Sequence, residues 1–229
     1  KRWPADVHCI GKDIFRFHAL LWPAMLLSLG LPLPRVIFVH GYITSNGQKM
    51  SKSFGNVVDP FELVKKYGTD AVRYFLLREI PPTEDGDFTE EKFIERYNAD
   101  LANGLGNLVA RVITLAVKFG IQNLEIKTMG QAAKLVIEKR KKEYKKALGE
   151  FKFNEALNAI WKEISLCDKV IELERLWEGK ENQKEVIKSL LFTIGEIAKL
   201  IEPFLPETSE KILKQLKNKK SEPLFPRFK

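Results

Sequence analysis

The spacing of apolar residues changes along this chain, and the change divides it. Residues 5–11, ADVHCIG, are a short apolar-rich run closed by glycine, which predicts a strand. Residues 12–30, KDIFRFHALLWPAMLLSLG, carry apolar side chains at helical spacing, with Gly30 as the stop and a bend at Pro23. Residues 35–41, RVIFVHG, are continuous and β-branched, as in a strand buried on both faces. Strand, helix and strand predict a right-handed βαβ unit of a parallel sheet. Two strands are too few for such a sheet, so its other strands are expected from elsewhere. The chain opens at KRWPADVHCIG, already close to a strand, and reads as the middle of something longer.

TSNG, residues 44–47, is a turn. Residues 59–80 then predict two helices, with Asp59 as N-cap, Pro60 at the first helical position and Gly68 ending the first. PPTEDGD, residues 81–87, reads as a loop. From Thr89 onward the period is helical almost throughout, with helices expected over 90–120, 129–150, 153–177, 182–204 and 206–217. Residues from about 90 to the end therefore predict an α-helical bundle, and the fold class is mainly α with a small α/β part. Trp161 falls on the apolar face of its helix and is assigned to the core. The run EKRKKEYKKALGE reads as a solvated helix face.

Composition adds little except through charge. The chain has 229 residues, enough for one large domain or two modest ones, and a net charge of +8. That excess suits a polyanionic partner such as nucleic acid, or simply lysines solvating helix surfaces. Cys9 and Cys167 are far apart in apolar settings, so they predict neither a disulfide framework nor a zinc site; both read as buried small hydrophobes in a reducing, cytoplasmic setting. No run approaches the roughly 18 apolar residues of a membrane span.

The segment that breaks the pattern is GQKMSKSFGN, residues 47–56, which holds two lysines and two serines between glycines and follows the second strand. Small polar residues and flanking glycines let the backbone approach a ligand. Lysine is a point charge on a flexible stem, suited to phosphate oxygens. A loop near the carboxyl end of a parallel strand lies where such sheets bind ligands. The physics reads as a phosphate-stabilising loop, or as one merely solvated.

KMSKS, Lys49 to Ser53, is identical to a signature of the class I aminoacyl-tRNA synthetases, and its surroundings resemble the methionyl-tRNA synthetase family. WPADVHCIGKDIFRFHALLWPAML, HGYITSNGQKMSKSFGNVVDPFELVKKYGTDAVRYFLLRE, DGDFTEEKFIERYNADLANGLGNLVAR and the closing IEPFLPETSEKI and PLFPRFK all carry the resemblance. It implies the C-terminal portion of a Rossmann-type catalytic fold in residues 1–58, stem-contact or connecting helices in 59–95 and a helical anticodon-binding domain in 96–229. It implies ATP with Mg²⁺ and methionine as substrates, and a tRNA(Met) with anticodon CAU as partner. The catalytic residues implied are Lys49 and Lys52, holding the developing pyrophosphate charge while the amino-acid carboxylate attacks the α-phosphate. Ser51 and Ser53 would shape that loop. Gly11, Asp13, His40 and Gly41 would meet the adenosine, with Phe17 and His18 beside the methionine side chain. Asp13 equally suits a helix cap, and His18 an ordinary half-buried site.

In the bundle the resemblance implies anticodon reading by Asn107 and Arg111, four apart on one helix face, and by Trp177 stacking on a base. Arg111 also suits an intrahelical pair, and Trp177 core packing. Two departures touch the tryptophan site: Leu176 stands where the family usually has proline, and Asp168 where it often has asparagine. The family's HIGH-type motif, most of its methionine pocket and its inserted domain are expected before Lys1, in an N-terminal half carried by the same polypeptide or a separate subunit. The chain alone is then expected to be catalytically silent. Two rival readings are a class I enzyme for isoleucine, leucine or valine, and a tRNA-binding module with no use for its lysine loop.

Overall fold

A computed structural model of the chain describes residues 3–121, 131–180 and 183–228. It divides into two compact units, one of residues 1–58 with 79–89, the other of residues 59–78 with 90–229.

The first unit holds the strands. β1 (Val7–Gly11) and β2 (Val36–His40) pair in parallel, with Val7 opposite Val36 and Gly11 opposite His40. The connection between them is helical but not one bent helix. A 3₁₀ turn at Lys12–Ile14 leads into a wide π-type turn at Phe17–Leu21, and regular α1 covers only Trp22–Ser28. Pro23 explains the break: it sits in the first turn of α1, where its missing N–H is tolerated, and it cannot continue a regular ladder from upstream.

Beyond β2, the expected turn joins β3 (Ile43–Ser45) to β4 (Gln48–Lys49) in a tight antiparallel hairpin. Asn46 and Gly47 both take positive φ, 53° and 72°, as a two-residue hairpin of this hand requires. The stretch read as a loop at 81–87 ends in a further strand, β5 (Gly86–Phe88), parallel to β3. Three residues, one of them glycine, are too short to show alternation, so the pattern concealed it. Gly86 is fixed by packing: a Cβ there would lie 2.7 Å from Ile80 Cγ2. Cys9 is exposed rather than buried: it lies on β1, which among the described residues pairs with β2 alone in a two-stranded sheet. Cys167 is buried, and burial pushes its thiol pKa up.

The second unit is helical. α2 (Pro60–Tyr67) starts as expected: the Phe61 N–H donates to Asp59 Oδ1 at 2.8 Å, and Gly68 closes it at φ 86°. α3 (Thr69–Glu79) follows, then α4 (Glu90–Arg96), a wide π-type segment at Tyr97–Gly106 and α5 (Asn107–Lys118). α6 (Gln131–Gly149), α7 (Phe153–Leu173), α8 (Lys184–Ile201) and α9 (Pro206–Asn218) complete the bundle. The helix expected to 177 ends earlier. Arg175 turns left-handed at φ 45°, and a separate 3₁₀ turn covers Leu176–Glu178.

The bundle core is the apolar stripe of each helix: Leu101, Leu105, Leu108 and Val112 meet Leu157, Ile160, Ile187, Ile194 and Ile201, all at most 1% exposed. Trp161 is buried with them, its indole N–H donating to the Asp100 carbonyl at 3.3 Å. Two polar ties hold α3 to the start of α9. Asp70 accepts from the Thr208 N–H at 2.6 Å, and Arg73 donates to the Pro203 and Phe204 carbonyls at 2.8 Å. None of the described helices is long and apolar enough to cross a membrane.

Candidate functional site

In the first unit, the carboxyl ends of β1 and β2 bring three of the expected residues together. Gly11 and His40 are register partners. A Cβ on Gly11 would lie 2.8 Å from Asp13 Oδ1 and 3.6 Å from His40 Cε1, so only glycine leaves these side chains their places. Gly41 is fixed in the same way, since a Cβ there would meet the Glu84 carbonyl oxygen at 2.1 Å. His40 Nδ1 lies 2.9 Å from the Gly41 carbonyl oxygen, where a protonated Nδ1 donates. Asp13 falls inside the 3₁₀ turn, while the capping position is Gly11, so Asp13 is not the helix cap that its place in sequence allowed.

Phe17 and His18 lie on the following turn and line an open pocket with His8, Leu21, Trp22 and Met25. Phe17 is 60% exposed. His18 Nδ1 lies 3.0 Å from the Ile14 carbonyl oxygen, and its ring stands edge-on to His8. His8 was not singled out from the sequence. Its Nδ1 is buried with no hydrogen-bond partner among the described residues, which leaves a polar atom at the pocket wall.

The lysine loop is held by its neighbours, with Lys49 leaning on an aromatic ring and the Lys52 ammonium unpaired among the described residues. Asn56 clasps it from both sides, accepting from the Ser51 N–H at 2.8 Å and donating to the Lys49 carbonyl at 3.2 Å. Ser51 and Ser53 share a 2.7 Å hydroxyl contact. Lys52–Phe54 form one 3₁₀ turn, closed by Gly55 at φ 66°. The hairpin before the loop is anchored by Asp87, whose Oδ1 accepts from the Thr44 hydroxyl and the Gly47 N–H, both at 2.7 Å. Asp85 accepts from the Tyr42 N–H at 2.7 Å and from Lys12 at 2.6 Å, and these donors hold its carboxyl below the usual range, the lysine foremost. Lys12 and Lys49 both stand over the Tyr42 ring, at 4.3 and 5.6 Å from its centre. The exposed Lys52 has neither an ion pair nor a hydrogen-bond partner for its ammonium group among the described residues. Asp85, Asp87, Asn56 and Tyr42 thus escaped sequence reading; the Asp-rich TEDGD run was the one available signal.

In the second unit, Asn107 opens α5 and is exposed. Arg111, one turn on, is engaged across to α7: Nη2 donates to Glu172 Oε1 at 2.5 Å and Nη1 to Asp168 Oδ1 at 3.4 Å. Its pairing is therefore between helices rather than within one. A guanidinium has five N–H donors, so most remain for a base edge. Burial pushes the Asp168 carboxyl up, and Glu172 adds to that, while Arg111 opposes both. Trp177 is 49% exposed on its 3₁₀ turn, which separates it from the core role its residue type alone suggested. Lys118, at the other end of α5, donates to the Trp177 carbonyl at 2.9 Å and was missed in the sequence. Asn107, Arg111, Thr114 and Lys118 follow helical spacing down one face of α5. Among the described residues no group of three or more His, Cys, Asp or Glu is placed to hold a metal ion.

Comparison with known proteins gives two family matches: tRNA synthetases class I (M) over residues 3–113, and the anticodon-binding domain of tRNA ligase over residues 135–227. The chain is similar to the methionine–tRNA ligase of Bacillus subtilis, at 40% identity over all of this chain and 39% of that protein. It is 45% identical to the Clostridium perfringens methionine–tRNA ligase, over 96% of this chain and 36% of that one. In structure it resembles Mycobacterium tuberculosis methionyl-tRNA synthetase in complex with methionyl-adenylate: TM-score 0.85, 36% identity, 99% of this chain and 51% of that chain. It thus spans under two fifths of those curated relatives and about half of the solved one.

Proposed function

The chain belongs to the methionyl-tRNA synthetase family of class I tRNA synthetases, and from that premise we propose that it supplies the lysine loop and the anticodon-reading bundle of a methionine–tRNA ligase. The reaction is the ATP-dependent activation of methionine to methionyl-adenylate, then transfer to tRNA(Met). The observation that carries this reading is the lysine loop itself. Asn56 and Asp87 fix its backbone, while the Lys52 ammonium is left unpaired among the described residues.

The chemistry follows from that arrangement. As the methionine carboxylate attacks the α-phosphate, negative charge gathers on the departing pyrophosphate. An unpaired ammonium group carried on a backbone that is already held is available to stabilise that charge. Lys49, leaning over Tyr42, is the second cation. Gly11, Asp13 and His40 form the adenosine side, where the carboxylate accepts from ribose hydroxyls and the bare glycine leaves room for that carboxylate. Phe17, His18 and His8 border the methionine side chain. Mg²⁺ would arrive with ATP as the counterion of its phosphates; the loop offers ammonium and hydroxyl groups and no carboxylate to it. Residues outside this chain complete the site, so the chain alone is silent. This work belongs to the cytoplasm, where the free thiol of the exposed Cys9 stays reduced.

The test is methionine-dependent pyrophosphate exchange in the full-length enzyme. Lys52→Ala is expected to slow exchange about 10²–10³-fold, the effect of removing one preorganised charge contact, with little change in KM for methionine. An unchanged rate would mean the loop has no part in activation.

A further inference from the structure

The second unit has a cationic cleft that none of the assigned roles uses. Arg78 of α3, Arg140 of α6, and Lys162 and Lys169 of α7 line it, with Trp161 and Ser165 at its floor and side. Its volume of about 470 Å³ exceeds the ~30 Å³ share of a water many times over, so it is a trough rather than a single-ion site.

The carboxylates nearby are already committed. Asp100 accepts from the Tyr74 hydroxyl at 2.7 Å and pairs with Arg96 at 3.3 Å. Glu143 and Glu163 pair with Arg140 at 2.9 and 3.6 Å. Among the described residues Arg78 donates to the neutral Asn158, at 2.9 Å, and its Nε is buried without a hydrogen-bond partner there. Lys162 and Lys169 are exposed, with neither an ion pair nor a hydrogen bond to their ammonium groups among the described residues. Among the described residues three cations of the cleft, Arg78, Lys162 and Lys169, thus make no ion pair, beside the one lining carboxylate, Asp100.

Their spacing says what they suit. Asn158, Lys162, Ser165 and Lys169 follow helical spacing along one stripe of α7. Lys162 and Lys169 are seven residues apart, about 10 Å along the helix axis. That spacing, with long flexible stems on one face, suits neighbouring phosphates of one strand. The same helix carries Asp168 and Glu172, which hold Arg111, and its C-terminal end runs on toward Trp177.

We infer that this cleft is a track for the sugar–phosphate backbone of the RNA whose anticodon is read by Asn107, Arg111 and Trp177. The inference rests on the anticodon reading proposed above and places a sequence-independent anchor beside it. Phosphate contacts fix register without reading bases, so Lys162 and Lys169 contribute affinity and salt dependence rather than anticodon preference.

The experiment titrates the whole chain with two stem-loop RNAs that share one stem, one carrying CAU and one a changed middle base, between 50 and 200 mM salt. The proteins are wild type, Lys162→Gln/Lys169→Gln, and a charge-matched control, Lys211→Gln/Lys214→Gln, on α9. The cleft variant is expected to lower the slope of log affinity against log salt by roughly 1 per lysine. Wild type then loses roughly tenfold more affinity than the variant over that fourfold salt range. The ratio between the two RNAs stays as in wild type, and the α9 control leaves the slope unchanged. Thermal melting of all three, expected to be alike because the lysines are exposed, excludes a folding effect. An unchanged slope in the cleft variant, or an equal loss in the α9 control, overturns the track. Loss of the CAU ratio in wild type with the slope effect intact would refute the anticodon reading and leave the track standing. Absence of any RNA binding would refute both.

Discussion

At the scale of single residues, the chain separates side chains that hold a site from side chains left free to act. Asp87 and Asn56 have their polar atoms committed to the hairpin and loop backbone, whereas Lys52 does not. In the bundle, Arg111 is oriented by two carboxylates while Trp177 presents half its surface to solvent. A half-exposed indole contributes little to the core, so Trp177→Ala is expected to leave the melting temperature nearly unchanged. It is expected to weaken CAU stem-loop binding by about 1–3 kcal/mol, the worth of one stacked base. Isothermal titration of the two proteins against the same RNA checks this. Equal affinities would remove the tryptophan from the site.

At the scale of elements, α6 and α8 are joined by a half-buried pair, Lys141 and Glu196 at 2.7 Å. Burial pushes the Glu196 carboxyl up, but the Lys141 and Lys199 ammonium groups outweigh burial and hold it below the usual carboxylate value of 4.5. The bond to Glu196 raises Lys141 above 10.5, against the opposing effect of its own burial. An acid with a lowered native pKa stabilises the fold above its unfolded value and loses that contribution as pH falls through the native value. A base with a raised pKa keeps its contribution until pH rises through the raised value. The pair is therefore at full strength between about 4.5 and 10.5. Glu196→Gln is expected to cost about 1–3 kcal/mol at neutral pH, or a few degrees in melting temperature per kcal/mol for a chain of this size. The gap between variant and wild type should close as pH falls below 4.5. A gap that stayed constant down to strongly acid pH would show the pair to be unimportant.

The elements also show what the sequence could convey. Helices α2, α5, α8 and α9 announce themselves by period and by punctuation such as Asp59–Pro60 and Gly68, because their stabilisation comes from one apolar face that repeats locally. β5 does not, since a three-residue strand at Gly86–Phe88 exists only through its partner β3, more than 40 residues away. The wide turns at Phe17–Leu21 and Tyr97–Gly106 are likewise invisible, because a helical period survives a slight unwinding. Among the proposed site residues, Lys49 and Lys52 stand out through their motif. The anchors Asp85, Asp87 and Asn56 do not, because an aspartate in a turn-rich run looks the same whether it holds a distant hairpin or only solvent.

At the scale of the whole chain, the proposed function gives each of the two units its own kind of recognition, phosphates for the lysine loop and RNA for the basic bundle. The net charge of +8 guarantees some attraction to any polyanion, so affinity alone says little. What separates a reader of the methionine anticodon from a generally basic bundle is discrimination that persists as salt rises. The decisive measurement is the ratio of affinities of the chain for stem-loops bearing CAU and a changed middle base, followed to high salt. Base-edge contacts from Asn107 and Arg111 should hold that ratio at about fivefold or more, at about 1–3 kcal/mol per well-read base, while both affinities fall. A ratio near one at every salt concentration would contradict the account.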